Sequence, residues 1–164
     1  MKKSLISILA VLFASSFFVA ASDAPAAEYE ALKHIKMVQA IFDFRIGDPK
    51  TAASQMNLIH DTYRDLALTR KKPVFVVVFM GPSVKLLSKD TAGFSPDSQK
   101  NLDEIAGAIS AMSRNGIKFE ICLIAAEAFK VDPSAVLKEI AKVENGLISE
   151  IGYQVQGYSL VPVF

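Results

Sequence analysis

Strand-like and helix-like hydrophobic patterns alternate along the chain. Apolar side chains occupy every second position of residues 37–44, which predicts a strand. Asp48 and Pro49 then supply a helix N-cap and a first-turn proline, and the apolar positions that follow recur at spacings of three and four. Residues 74–80 are an uninterrupted apolar run rich in β-branched side chains, which is typical of a parallel strand buried on both faces.

The same alternation continues to the C-terminus. The pattern predicts, in order, a helix opened by Ser95 and Pro96, a strand at residues 117–122, a helix opened by Asp132 and Pro133 with Val136, Leu137, Ile140 and Val143 on its apolar side, a short helix at about residues 147–156, and a strand at residues 158–163. Strands that alternate with helices favour an α/β fold in three layers, with a mostly parallel sheet covered on both faces.

Composition and charge exclude several classes of protein. Of the 164 residues, 51% are hydrophobic and 21% charged, which fits one globular domain. The 18 basic and 17 acidic residues leave a net charge of +1, so no nucleic-acid partner is predicted. One cysteine and two histidines cannot form a four-ligand Cys/His zinc site or an internal disulfide. No loop carries a phosphate-binding glycine pattern, and we predict neither a metal nor a cofactor.

The N-terminus has the order of a secretory signal. Lys2 and Lys3 precede an apolar stretch that ends in small residues, and several cleavage sites lie between Ala21 and Ala27. We therefore predict a signal peptide at residues 1–27 and a single domain at residues 28–164. The domain would be neutral, periplasmic or secreted, and free of the membrane after cleavage. An uncleaved membrane anchor is the alternative, although the run is near the lower length limit for spanning a bilayer.

Two places at the carboxyl ends of predicted strands could carry chemistry, because ligands gather there in parallel sheets. Gly81, Pro82 and Ser83 follow the buried strand and could form a ligand-binding loop or an ordinary turn. Cys122 ends the next strand, where helix amides could stabilise its thiolate. Residues 123–126 are apolar, however, and an apolar setting makes a thiol inert. A buried structural cysteine is therefore the alternative.

The two histidines do not join either place. His34 precedes the first strand, and His60 lies on the first helix beside acidic and basic neighbours. We expect both to be surface residues rather than members of a triad or a metal site.

The order of several short motifs resembles that of one family, the DsrE/DsrF-like proteins. The motifs are Gly47-Asp48-Pro49, the run from Val76 to Leu87, the segment from Gly116 to Cys122, Gly146-Leu147-Ile148 and Gln156-Gly157-Tyr158. The resemblance spans about Lys36 to Pro162. It implies a doubly wound, flavodoxin-like sheet of about five strands and assembly into a homotrimer or homohexamer. It also implies that Cys122 matches a cysteine that carries sulfur as a persulfide in active members.

Two functions follow from these observations. The first is an exported sulfur carrier in which Cys122 is the catalytic residue and a sulfur-donor or sulfur-acceptor protein is the partner. The second is a non-enzymatic binding or assembly module, in which the Gly81, Pro82 and Ser83 loop contributes to a small-ligand or partner pocket and the cysteine is structural. The first predicts an accessible thiol that forms a thiolate, and the second an inert one.

Overall fold

The computed structural model describes residues 29–164, and within them five parallel strands form one sheet. The strands are β1 (Met37–Phe44), β2 (Lys72–Phe79), β3 (Lys118–Cys122), β4 (Ile140–Val143) and β5 (Ser159–Val163). The helices are α1 (Pro49–Leu68), α2 (Pro96–Arg114), α3 (Leu123–Ala128) and α4 (Gly146–Val155), with 3-10 turns at Glu30–Leu32, Gly81–Leu87 and Pro133–Ala135. The predicted α/β class and parallel sheet are confirmed. The predicted signal peptide lies outside the described residues.

The strand order is β4-β3-β2-β1-β5. The chain builds the sheet outward from β1 to β4 and then returns to place β5 on the other side of β1. A flavodoxin-like sheet also has one strand beyond β1, but there it is the second strand of the chain rather than the last. The register aligns Phe44 of β1 with Phe79 of β2, and Phe79 with Ile121 of β3. The carboxyl ends of these three strands therefore meet at one edge.

The long helices begin where the sequence places their caps. Asp48 accepts a hydrogen bond from the Thr51 amide at 2.8 Å, and Ser95 accepts one from the Ser98 amide at 3.2 Å. Proline follows each cap at the first helical position, where its missing N–H costs no hydrogen bond. These local signals explain why helix starts were predictable.

The two faces of the sheet carry unequal cores. Alternate residues of β1 and β3, including Phe42, Phe44, Phe119 and Ile121, pack in a large cluster with residues of α1 and α2. The opposite face holds a small cluster of Ile41, Val76, Val78, Met80 and Cys122. In the described part of the chain, α4 is the helix that contacts strands on this second face.

The helix predicted after Asp132 is wrong. Asp132 does accept a hydrogen bond from the Ser134 amide at 2.8 Å, but only a 3-10 turn follows, and Ile140–Val143 form β4. Ile140 lies beside Phe119 in the register with β3. The apolar spacing of this segment is compatible with a helix or a strand, and pairing with the open edge of β3 selects the strand. The short α3 was not predicted, because its apolar residues directly continue the strand pattern.

No helix among residues 29–164 has both the length and the apolar character needed to cross a bilayer.

Candidate functional site

Three loops and the start of α4 meet at the carboxyl edge of the sheet. Met80 directly follows β2, Cys122 ends β3, and Gly146 begins α4. A Cβ atom placed on Gly146 would lie 2.7 Å from Met80 Sδ and 3.0 Å from Cys122 Cβ. Only glycine allows α4 to begin this close to both side chains. The first turn of α4 therefore covers the thiol residue.

Cys122 is buried in apolar surroundings, with 5% of its surface exposed. It stands at the N-cap position of α3, yet its side chain caps no backbone amide. Its Sγ lies 4.0 Å from the Glu144 carbonyl oxygen, which also accepts a hydrogen bond from the Ile124 amide. The predicted place of Cys122, at the end of its strand and facing a helix start, agrees with the structure. Gly146 and Tyr153 of α4 pack against the cluster that contains Cys122 and contribute to its burial.

The Gly81, Pro82 and Ser83 loop lies at the same edge but is built into the fold. Gly81 has a φ of 59°, a left-handed conformation that favours glycine. Ser83 is fully buried, and its hydroxyl lies 2.8 Å from the Phe44 carbonyl and 2.9 Å from the Met80 carbonyl. This hydroxyl ties the loop to the end of β1. The half-buried Gly81 and Pro82 are the part of the loop that a ligand could contact.

A cation also reaches this edge. Arg45, directly after β1, donates from Nε to both carboxylate oxygens of Asp43, at 2.8 and 2.9 Å. One terminal nitrogen of the guanidinium is 3.9 Å from Met80 Sδ. The arginine side chain is 37% exposed. The Met80 side chain thus lies between Arg45 on one side and Gly146 and Cys122 on the other. The guanidinium group of Arg45 remains partly open to solvent.

A buried polar layer lies between α4 and the sheet. Glu120 of β3 accepts hydrogen bonds from the Ser149 hydroxyl and, at 2.8 Å, from the Tyr153 hydroxyl. Burial and the contact with Glu120 raise the pKa of Tyr153, because both disfavour a phenolate. Tyr153 also packs edge-on against Tyr158, with ring centroids 5.0 Å apart. Both oxygens of Glu120 are therefore satisfied.

A second carboxyl group of α4, on Glu150, has a different environment. Glu150 is 5% exposed, and its Oε1 has no hydrogen-bond partner among residues 29–164. Its carboxyl contacts that of Asp43. Burial raises the pKa of Glu150 to about 7, the negative charge of Asp43 adds to the effect, and Arg45 opposes it. Near neutral pH, both the protonated and the ionised form of Glu150 are therefore populated.

Sequence reasoning missed this polar layer. Alternation does place Asp43 and Glu120 on the same face of the sheet as Cys122, and a charged residue inside a strand pattern is a detectable signal. Nothing in the sequence of α4 indicates that Glu150 faces inward, because its apolar neighbours suggest the opposite orientation.

The histidines lie apart from the site, as expected. His34 is exposed, and His60 Nε2 lies 3.0 Å from the Asn115 side-chain nitrogen at the surface. Over residues 29–164, no group of three or more histidine, cysteine or acidic side chains is arranged to hold a metal ion.

The raised pKa of Glu150 predicts a specific pH dependence of stability. Its proton is bound more tightly in the folded chain than at the ordinary value of 4.5. The contribution of this group is therefore fully present below about pH 4.5 and is lost as the pH rises through about 7. In the wild type the free energy of unfolding should therefore fall by on the order of 3 kcal/mol over this interval, and in Glu150→Gln, which remains neutral, this fall should be absent.

Urea denaturation across that range, at fixed protein concentration, measures the effect. Glu127→Gln is the matched control, because Glu127 lies exposed on α3. A wild-type pH profile that matches the Glu150→Gln profile would contradict the assigned environment.

Comparisons with known proteins agree with this architecture. The model of the DsrE/DsrF-like family matches residues 16–163. A protein of unknown function from Methanobacterium thermoautotrophicum, MTH1491, is similar in structure with a TM-score of 0.61 at 18% identity, covering 76% of this chain and 98% of that one. The ychN protein from E. coli gives a TM-score of 0.50 at 11% identity, covering 79% and 99%. At these identities the two structures show a shared fold.

No curated protein matches the chain significantly in sequence. The family match covers nearly the whole chain, and the protein belongs to the DsrE/DsrF-like family.

Proposed function

We propose that this protein is an exported sulfur carrier that holds sulfane sulfur as a persulfide on Cys122. The observation that supports this function is the place of Cys122, the one thiol of the chain, at the carboxyl edge where three parallel strands end. Reactive groups of parallel α/β sheets gather at this edge.

The transfer step balances without a cofactor. The Cys122 thiolate attacks the outer sulfur of a donor persulfide, R–S–SH. A new S–S bond forms on Cys122, the S–S bond of the donor breaks, and the donor leaves as the thiolate R–S⁻. The transferred sulfur keeps its proton. Attack by an acceptor thiolate on the outer sulfur of the Cys122 persulfide reverses the step and regenerates the cysteine. The chain has no second cysteine, so the acceptor is another molecule.

Sulfur loading tests this function directly. Folded wild-type protein treated with polysulfide should gain mass in steps of whole sulfur atoms, and a reductant should remove them. Cys122→Ser should gain nothing, because the chain has no other thiol. Intact-mass spectrometry measures both.

The unfolded wild type is the positive control for reagent quality. If it takes up sulfur while the folded protein resists both polysulfide and alkylation throughout the neutral range, Cys122 is structural and the binding or assembly module is the function.

A specific surface favours assembly as a second role, either alone or together with sulfur transfer. The outer side of α4 presents a stripe of apolar side chains to solvent, formed by Leu147, Ile148, Ile151 and Val155. Leu160 of β5 aligns with Ile41 of the second core and is also exposed on this side. A helix with an exposed apolar stripe marks a protein interface. We propose that copies of the chain associate through this side of the sheet as a homotrimer or homohexamer.

A charge placed in the stripe should prevent this association. Ile151 is 60% exposed, and Ile151→Lys should reduce the particle mass from a trimer or hexamer to one chain, because burying an unpaired ammonium group costs several kcal/mol. Light scattering at micromolar concentration measures the mass. Leu68→Lys is the control: Leu68 is 75% exposed at the end of α1, which packs on the other face of the sheet. A wild type with the mass of one chain would contradict the proposal.

Export is proposed from the N-terminal sequence. Lys2, Lys3 and the apolar run after them should direct the chain across the inner membrane, after which cleavage leaves a periplasmic or secreted domain. Mass spectrometry of protein from the cell envelope should find an N-terminus between Ser22 and Glu28. Leu12→Arg, which interrupts the apolar run, should keep the full-length chain in the cytoplasm. A wild type that keeps Met1 and stays in the cytoplasm would exclude export.

A further inference from the structure

The helix that covers Cys122 is attached to the sheet largely by polar groups. Ser149, Glu150 and Tyr153 of α4 face inward, while the apolar residues of the same helix face solvent. Gly146, at the start of α4, lies directly on Cys122 and Met80. Whatever loosens the polar attachment of α4 therefore also changes how well the thiol is covered.

The two carboxyl groups in this attachment are not equivalent. Glu120 accepts hydrogen bonds from two hydroxyl groups and is fully satisfied. Glu150 meets another acid, Asp43, and one of its oxygens is buried without a partner. A protonated Glu150 can donate a hydrogen bond to Asp43, whereas two ionised carboxylates side by side repel each other where both are largely buried. The Glu150 contact is thus stable with a proton and unstable without one.

Among residues 29–164, Arg45 is the cation that lowers the pKa of Glu150, whereas Lys118, on the same face of β3 as Glu120, is exposed at the start of that strand. From β1, Glu150 faces Asp43 and Arg45, and the guanidinium of Arg45 is already bound to both oxygens of Asp43. From β3 the charged neighbour in the layer is Glu120, and β2 contributes the apolar Val76, Val78 and Met80. The tyrosines that complete this layer are Tyr153 and Tyr158, and β5 carries no charged side chain. The layer around Glu150 therefore contains three carboxyl groups, and Arg45 is the cation beside two of them, Asp43 and Glu150.

We propose that the proton shared by Glu150 and Asp43 controls access to Cys122: α4 covers the thiol while the pair holds the proton and uncovers it when both carboxyl groups are ionised. Glu150 is then a positioning residue for sulfur transfer, acting through the start of α4 at Gly146. This inference deepens the proposed function and rests on it in taking Cys122 as the reacting group.

The direction of the effect follows from the proton's tighter binding in the covered state. Burial raises the pKa of Glu150 to about 7 there, and exposure to water would return it toward the ordinary value of 4.5. The uncovered population therefore increases with pH between these two values and levels off above about pH 7.

The test compares the labelling rate of Cys122 in the folded protein with that in the unfolded chain at each pH. A dipyridyl disulfide serves as the reagent because it reacts with thiols even at acid pH. The ratio of the two rates should increase at least about tenfold from about pH 5 to about pH 7 in the wild type. In Glu150→Gln, which keeps an uncharged amide against Asp43, the ratio should stay low and constant.

Two further variants keep the test decisive. Glu127→Gln changes an exposed acid on α3 and should behave as the wild type does. Asp43→Asn removes the like charge and leaves Arg45 available to an ionised Glu150, so it should also flatten the pH dependence, and it decides the question if Glu150→Gln fails to fold. A constant ratio in the wild type, or an unchanged increase in the folded carboxyl variants, would overturn the proposal.

The outcome is separate from that of sulfur loading, because labelling uses no sulfur donor. A pH-dependent ratio in a protein that never takes up sulfur would reject the carrier function and keep the control of access. Sulfur uptake with a constant ratio would reject the control of access and keep the carrier function.

Discussion

The parallel pairing of β1, β2 and β3 is the constraint on which the candidate site depends. Because Phe44, Phe79 and Ile121 are aligned in register, the chain leaves all three strands at one edge. Arg45, Met80 and Cys122 follow or end these strands and therefore meet there, although they are far apart in sequence. A shift of the register by one residue would move every side chain to the other face and separate them. The apolar run of β2 is buried on both faces, which is why this strand lies inside the sheet between β1 and β3.

The unequal faces of the sheet explain why α4, and not α1 or α2, is the helix whose attachment can change near Cys122. The face under α1 and α2 is closed by a large apolar core with aromatic pairs, such as Phe44 with Phe79 at 5.1 Å between ring centroids. The other face has only a small apolar cluster, and Cys122 belongs to it. Burial of apolar surface provides most of the favourable free energy of folding, so the first face holds the fold together. The second face can change without unfolding the chain, since local opening occurs where few apolar contacts are lost.

The features that depend on residues close together in the chain, such as strand faces and helix starts, were predictable from the sequence. Alternation assigned the faces of β1 and β3 correctly, and the N-caps Asp48 and Ser95 located the starts of α1 and α2. The position of Cys122 at a strand end was also predictable. By contrast, β4 depends on the open edge of β3, and the inward orientation of Glu150 depends on where α4 packs. Both are tertiary effects, and periodicity within one segment contains no information about them.

The polar layer under α4 is costly if stability is its only purpose. Replacing buried charged or polar pairs with apolar residues of similar size is often neutral or stabilising, and the sheet around Asp43 and Glu120 already offers an apolar surface. The apolar side chains of α4 exist, but they face outward. An inward apolar stripe would fix the helix on Cys122 permanently, whereas carboxyl groups make its attachment depend on a proton. A persulfide also extends the side chain by one sulfur atom, and the Cys122 side chain is already buried, with 5% of its surface exposed. Under the proposed control of access, sulfur transfer requires the start of α4 to move away from Cys122, and the repulsion between ionised Glu150 and Asp43 supplies the driving force.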